Sequence, residues 1–543
     1  MKKLIFISNN NIIKLKPNCL YITFSKSIFL KNKNNRIVYF FDIEHHINEY
    51  SINATLEKNL FLESKNDDKK FYPVVFKYIY KYYLTYSQFY NRTEYLIKKN
   101  NIEEIEYSNN ASFIFKKVMT SLSKIHQIKL IENNESFLGF SYRHNDEMLS
   151  DIPDNLEHNN LLIYLYSKYL TMKNHKIFVF PSSFVIDLPE SVHYFKYSVF
   201  KIIKRFYSIF TKNKLKKYSS NLTVINFSKN IKKEFTLDKN IWKHFRDDQI
   251  DLIEHILNIF FNKFNINYLT KLQHKIELLL SWSKTKAIII DETVDSFRRI
   301  VLLSCYKLNV KVEYLPHGII SEGLQFPFTT SEEYKKRYIP KVLAWNNQSS
   351  EYFMKNKLES VPITYPINIS SSKFTKKKDL LVLLSYGNRM NLNQFEEDII
   401  DLSNALQKNN LNIDWKTHSN VFNHANKIMQ EQKLHIEKTL NTKLNFIDHT
   451  EKSSSIMRNY KLIIFTTYTT GIYEAALLDI PFIIFSRENE NCHGINVSSL
   501  PIARNEREIV SLLDNRHTEY LKEIRNSLLE NITLRDYLIA KAT

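Results

Sequence analysis

Residues 461–476 read KLIIFTTYTTGIYEAA. Lys461–Phe465 is a short run of large apolar residues, the composition of a strand buried on both faces. Four threonines, Thr466, Thr467, Thr469 and Thr470, then Gly471 follow, and Tyr473–Leu478 reads as a helix. A buried strand that passes through a hydroxyl-rich turn into a helix is a βα corner of an open parallel sheet. Ligands of such sheets bind outside the carboxyl ends of the strands. The amino end of the next helix offers N–H groups and the positive end of the dipole, which suits phosphate. Threonine also caps helices without any ligand, but one cap does not need four threonines.

The same grammar extends on both sides. Leu380–Ser385 is a buried strand that ends in the loop Tyr386-Gly387-Asn388-Arg389, and Phe395–Gln407 is a helix. Asn412–Lys416 is a strand leading into Thr417-His418-Ser419. Leu444–Ile447, Lys461–Phe465 and Pro481–Phe485 continue the strands, with a helix at Glu451–Asn459. Three strand-end loops then share one edge and supply Gly387, Asn388, Arg389, Lys416 and His418 alongside the threonine turn. Upstream, Ala287–Ile290, a helix over 293–308 and Val310–Leu315 form a βαβ unit, which implies a parallel sheet with right-handed crossovers. Lys341–Ala344 is a further strand. The unit closes at Pro316-His317-Gly318. His317 at a strand end is a candidate general base near neutral pH, or a structural histidine in a tight turn. Glu322 is the fallback base, and Asp291 has a weaker claim.

These readings predict an α/β chain with two doubly wound, Rossmann-like domains facing a crevice and a helix-rich N-terminal half. The expected division is an N-terminal domain at 1–345, a polar linker at 346–379, a nucleotide-binding domain at 380–515 and a C-terminal helix at 516–543. Short apolar runs at Leu4–Ser8, Cys19–Phe24 and Ile37–Phe41 read as strands. Residues 55–135 read as mainly helical, for example Phe71–Thr93. Ile177–Ile186 reads as a strand with a turn, and residues 241–283 as long amphipathic helices.

Composition bounds the function. The 543 residues hold 76 Lys and Arg against 57 Asp and Glu, a net charge of +19, with 43% hydrophobic residues, a globular rather than disordered balance. Glycine is scarce, six in all, and five of them fall within 318–494, which points to that stretch for a ligand. Cys19, Cys305 and Cys492 form no disulfide framework and no CxxC zinc pair. No DxD stands at a strand end, since Asp67-Asp68 and Asp247-Asp248 lie in polar segments, so no metal or cofactor is expected. The amino-terminal apolar run breaks at Asn9-Asn10-Asn11, unlike a signal peptide, and no run of about 18 apolar residues exists to cross a membrane. A cytoplasmic protein is expected. Tyr194–Lys217 holds eight Lys and Arg, no acid, and interleaved Phe, Tyr and Ile. It fits an interfacial helix on the inner face of the cell membrane, an ordinary core helix or a basic nucleic-acid patch. No nucleic-acid motif supports the last.

Two doubly wound halves with these strand-end motifs resemble the GT-B glycosyltransferases. The order His-Gly, Lys-x-His, then a threonine-rich turn into Gly471-Ile472-Tyr473-Glu474-Ala475-Ala476 looks like bacterial surface-polysaccharide transferases. These are the Kdo, sialyl and polysialyl transferases and the CDP-glycerol glycerophosphotransferases. Their His-Pro motif appears here as His418-Ser419, and their Ser pair as Thr466-Thr467 or Thr469-Thr470. The resemblance covers about residues 285–500. It implies a nucleotide-sugar donor, a CMP-sugar above all, held by the C-terminal half with Glu474 among the contacts. It also implies a glycan or lipid-linked acceptor on the N-terminal half, with transfer needing no metal.

Overall fold

The computed structural model describes residues 2–7, 16–23, 36–40, 43, 49–108, 111, 113–133, 177–179, 192–194, 235–264, 266–282, 285–290, 296–316, 341–364, 378–384, 392–407, 411–417, 433–448, 451, 453–466, 469–486, 500–514, 518–529 and 531–542. Within them the chain is α/β and builds three sheets whose strand pairs are all parallel. The helix-rich N-terminal half therefore carries two parallel sheets where one was expected.

The first unit comprises β1 (Lys3–Ile7), β2 (Cys19–Thr23), β3 (Ile37–Tyr39), α1 (Glu49–Glu63), α2 (Phe76–Asn100), β4 (Glu104–Ser108), α3 (Phe113–His126) and β5 (Lys129–Asn133). Its sheet runs β3-β2-β1-β4-β5, the start of a doubly wound order. Strands β4 and β5 lie inside the stretch read as helical. Their acids are matched across the sheet: Lys3 Nζ meets Glu106 at 2.7 Å, and Asn133 Nδ2 donates to Glu106 Oε1 at 3.1 Å. Cross-strand pairing makes a strand of a sequence too charged to read as one.

The second unit comprises β6 (Ile177–Val179), β7 (Val192–Tyr194), α4 (Asp247–Lys263), α5 (Ile266–Trp282), β8 (Ala287–Ile290), α6 (Ser296–Leu308), β9 (Lys311–Tyr314), β10 (Lys341–Ala344), α7 (Asn347–Lys355) and β11 (Glu359–Pro362). The order β7-β6-β8-β9-β10-β11 is flavodoxin-like. Residues 346–379, read as a linker, supply α7 and β11. Lys341 pairs with Glu359 in the sheet, and Phe353 of α7 is buried. The polar look of this segment comes from a helix cap and a solvent-facing side.

The third unit comprises β12 (Lys378–Leu384), α8 (Leu392–Gln407), β13 (Ile413–Thr417), β14 (Asn445–Phe446), α9 (Ser453–Met457), β15 (Tyr460–Phe465), α10 (Thr470–Leu477), β16 (Phe482–Phe485), β17 (Ile502–Ala503) and α11 (Glu506–Asp514). Its order, β14-β13-β12-β15-β16-β17, is third-second-first-fourth-fifth-sixth along the chain. That is the order of dinucleotide-binding sheets. The segment read as one C-terminal helix forms two, α12 (Glu519–Leu529) and α13 (Leu534–Ala542).

The cores follow the pleat. Leu380, Val382, Leu384 and Ile464 pack with Ile399 and Leu402 of α8 and with Ile509 of α11. The opposite face, Leu381, Leu383, Ile463 and Phe465, packs with Ile472 and Ala475 of α10. This second core also takes in Leu343 and Trp345 of the second unit and Leu534 and Leu538 of α13. Another core runs unbroken from the first unit into the second.

Candidate nucleotide-binding edge

In the third sheet β12 lies between β13 and β15. The helix after β12 covers one face of the sheet and α10, after β15, covers the other. The chain thus leaves two neighbouring strands in opposite directions, and a crevice at their carboxyl ends is the usual ligand position. Lys416 and Thr417 end β13, Thr466 follows β15, and Thr469, Thr470 and Gly471 begin α10. The sheet brings the predicted Lys416, Thr466, Thr469, Thr470 and Gly471 to one edge, together with Thr417.

Their local roles differ. Thr466 is buried, and both its N–H and its hydroxyl donate to the Leu383 carbonyl, at 3.2 and 3.5 Å. It ties β15 to β12. Thr469 is the N-cap of α10, with extended backbone (φ −145°, ψ 159°), and its Oγ1 accepts from the Gly471 N–H at 2.9 Å. The capping role therefore belongs to Thr469. Thr470, the first helical residue, and Glu474 are half-buried. Gly471 has a packing reason: a Cβ there would lie 2.8 Å from Phe465 Cε1 and 3.2 Å from Met457 Cε. The glycine lets α10 sit down on β15, as the third glycine of a dinucleotide turn does.

Lys416 is buried at the end of β13 and pairs in register with Leu383, so it lies on the α10 face of the sheet. Burial lowers its pKa from the usual lysine range, opposed by the charges of Glu451 and Asp448. Thr417 pairs with Leu384 on the other face; its hydroxyl is buried and has no hydrogen-bond partner among the described residues. The sequence reading passed over Thr417. Its signal was a hydroxyl at the last position of a buried strand, where valine packs as well. Gly387, Asn388, Arg389, His418, Thr467, His317 and Glu322 lie outside the described residues, as does Tyr194–Lys217 beyond Tyr194. Among the described residues no three His, Cys, Asp or Glu come together to hold a metal ion, and no helix is long and apolar enough to cross a membrane.

No family model matches the chain, and no curated protein matches it. Solved structures do. The UDP-GlcNAc 2-epimerase of Methanocaldococcus jannaschii, in complex with UDP-GlcNAc and UDP, is 12% identical over 50% of this chain and 81% of its own, with a TM-score of 0.34. The Neisseria meningitidis UDP-GlcNAc 2-epimerase bound to UDP-GlcNAc gives the same four values. The spinosyn rhamnosyltransferase SpnG, complexed with spinosyn aglycone, is 9% identical over 52% of this chain and 84% of its own, with a TM-score of 0.32. Likeness at this level carries no argument. The class of the protein, a mixed α/β chain of parallel, Rossmann-like sheets, rests on the strand orders themselves.

Proposed function

We propose that the chain is a glycosyltransferase of GT-B type. It moves a sugar from a nucleotide-activated donor, a CMP-sugar in first place, to a growing bacterial surface glycan. The observation that carries this reading is the dinucleotide-type order of the third sheet, with Lys416, Thr470 and the amino end of α10 at its carboxyl edge. A second parallel sheet shares a core with it, through Leu343 and Trp345, and supplies the acceptor side. In the proposed reaction His317, with Glu322 as the fallback, takes the proton of an acceptor hydroxyl. The hydroxyl oxygen bonds to the anomeric carbon as the bond to the nucleotide phosphate breaks. The phosphate leaves with the electron pair, and fixed donors at Thr470, Lys416, His418 and Arg389 stabilise its charge. Gly387, Asn388 and Glu474 complete the nucleotide contacts. Peripheral attachment to the inner membrane face through Tyr194–Lys217 belongs to the same proposal.

Thermal unfolding of the full chain with CMP, CDP, UMP, UDP and CDP-glycerol tests it. A nucleotide at 100 times its dissociation constant adds about 2.7 kcal/mol to stability. Stabilisation by CMP supports the CMP-sugar donor, and stabilisation by UDP alone moves the donor to a UDP-sugar. A CDP-glycerol response above that of CDP redirects the reading to phosphoglycerol transfer. No response to any nucleotide overturns it. His418→Ala is expected to lose the nucleotide response. His317→Ala is expected to keep it and to lower turnover about 10²–10⁴-fold, the usual cost of losing a general base.

A further inference from the structure

Among the described residues, three buried polar atoms at the carboxyl end of β10 have no hydrogen-bond partner: Asn346 Nδ2, Ser349 Oγ and Ser350 Oγ. All three residues are 1% exposed. They belong to one structural feature, the amino end of α7. Asn346 is the N-cap; its Oδ1 accepts from the Ser349 N–H at 2.7 Å, and its carbonyl accepts from the Ser350 N–H at 3.1 Å. The first bond seats the carboxamide across the end of the helix. The NH₂ of the same carboxamide is therefore held at that end as well. Beside it, Trp345 Nε1 donates to the Pro316 carbonyl at 2.5 Å and fixes the ends of β9 and β10 to each other.

Buried orphans of this kind cost about 1–3 kcal/mol each, and native proteins keep only a few per 100 residues. Alanine at 349 and 350 would remove two of them and suit a helix better. Three such atoms within one helical turn need a reason. All three groups can donate, the helix dipole adds positive potential at the same point, and α7 has no acid in its first turn. The arrangement is matched to negative charge.

We propose that the amino end of α7 is an anion subsite that takes a carboxylate or phosphate group. Its use as an acceptor subsite, for an acidic sugar or a phosphorylated one, rests on the glycosyl-transfer reading; the anion binding does not. The test uses the full chain and three probes: glucuronate, glucose and inorganic phosphate. Binding is measured by titration calorimetry and by thermal unfolding, for the wild type, Ser349→Ala/Ser350→Ala and Asn346→Asp. The wild type is expected to bind glucuronate or phosphate but not glucose, and which anion binds names the group. The double alanine variant is expected to unfold no earlier than wild type and to bind that anion at least tenfold more weakly. Asn346→Asp retains the cap acceptor but sets a carboxylate where the NH₂ was, and is expected to lose the anion too. Three results overturn the proposal: no anion binding by the wild type, equal binding by both variants, or a marked loss of stability in the double alanine variant. The last would make the hydroxyls structural. Nucleotide binding is scored separately, so its absence strikes the functional reading and leaves the anion result standing.

Discussion

Gly471 shows how one residue can serve a site without touching a ligand. Its missing Cβ would collide with Phe465 Cε1 at 2.8 Å, and the ring belongs to the strand on which α10 rests. Met457 of α9 closes the other side at 3.2 Å. Alanine normally gains up to about 1 kcal/mol over glycine within a helix. Here that gain meets a packed aromatic edge, and overpacking costs about 1–3 kcal/mol. Gly471→Ala is expected to lower the urea midpoint with an unchanged slope, a net destabilisation of about 1–2 kcal/mol. The shift of α10 should also weaken any phosphate held at Thr470. A variant that gains stability would show room at the amino end of α10.

At the scale of elements, the last helix fastens the third unit to the second. Tyr537 of α13 donates to Glu313 Oε1 at 2.8 Å, and Lys541 pairs with the same carboxylate on β9. Glu313 is almost fully buried, and its other oxygen has no hydrogen-bond partner among the described residues. The Thr364 N–H, just past β11, donates to the Ile532 carbonyl at 2.9 Å. Removing one member of a buried ion pair costs about 3–5 kcal/mol. Lys541 is partly solvated, so Lys541→Met is expected near the lower figure and Tyr537→Phe near 1 kcal/mol. Equal, small losses in chemical denaturation would show that α13 is held by Leu534 and Leu538 alone. The sequence disclosed elements unevenly, for physical reasons. Apolar runs such as Ala287–Ile290, Leu462–Phe465 and Phe482–Phe485 are buried on both faces and announce themselves. Two of the five residues of Glu104–Ser108 are acids, and the cross-strand partners Lys3, Lys129 and Asn133 match them in the sheet. The polar stretch after Trp345 hid α7 and β11 because Asn346 caps a helix and the serines lie inside its first turns rather than in a linker. At the site, the threonine turn was legible as a strand-to-helix corner. The division of labour within it was not, because capping by Thr469 and the tie from Thr466 depend on where the Leu383 carbonyl and the Gly471 N–H fall.

The described residues form three parallel sheets joined by two continuous cores, and the first joint carries a titratable group. Glu57 of α1 meets Arg299 of α6 in full burial. Arg299 also donates to the Pro73 carbonyl at 3.1 Å, and Ser296 donates to the Val74 carbonyl at 2.6 Å. Burial pushes the Glu57 carboxyl up to about 7, with Arg299 opposing. The folded chain therefore binds a proton that the unfolded chain has released, between the ordinary value of 4.5 and about 7. Stability falls as pH rises wherever the folded state holds more protons. The joint is thus expected to weaken as pH rises through that window and to stay level above it. Asp414 acts elsewhere on the scale. Burial would raise it, but Lys378, Tyr460 and Asn445 hold it below the usual carboxylate range, so its contribution is lost only in stronger acid. Glu57→Gln removes the Glu57 titration while leaving a side chain of the same shape. Near pH 4.5 the variant and the wild type should unfold at similar denaturant concentrations. As pH rises to about 7 the variant should gain on the wild type, and the difference should then hold level to pH 8. Parallel stability profiles from pH 4.5 to 8 would show that Arg299 holds Glu57 ionised throughout, and that the joint does not respond to pH.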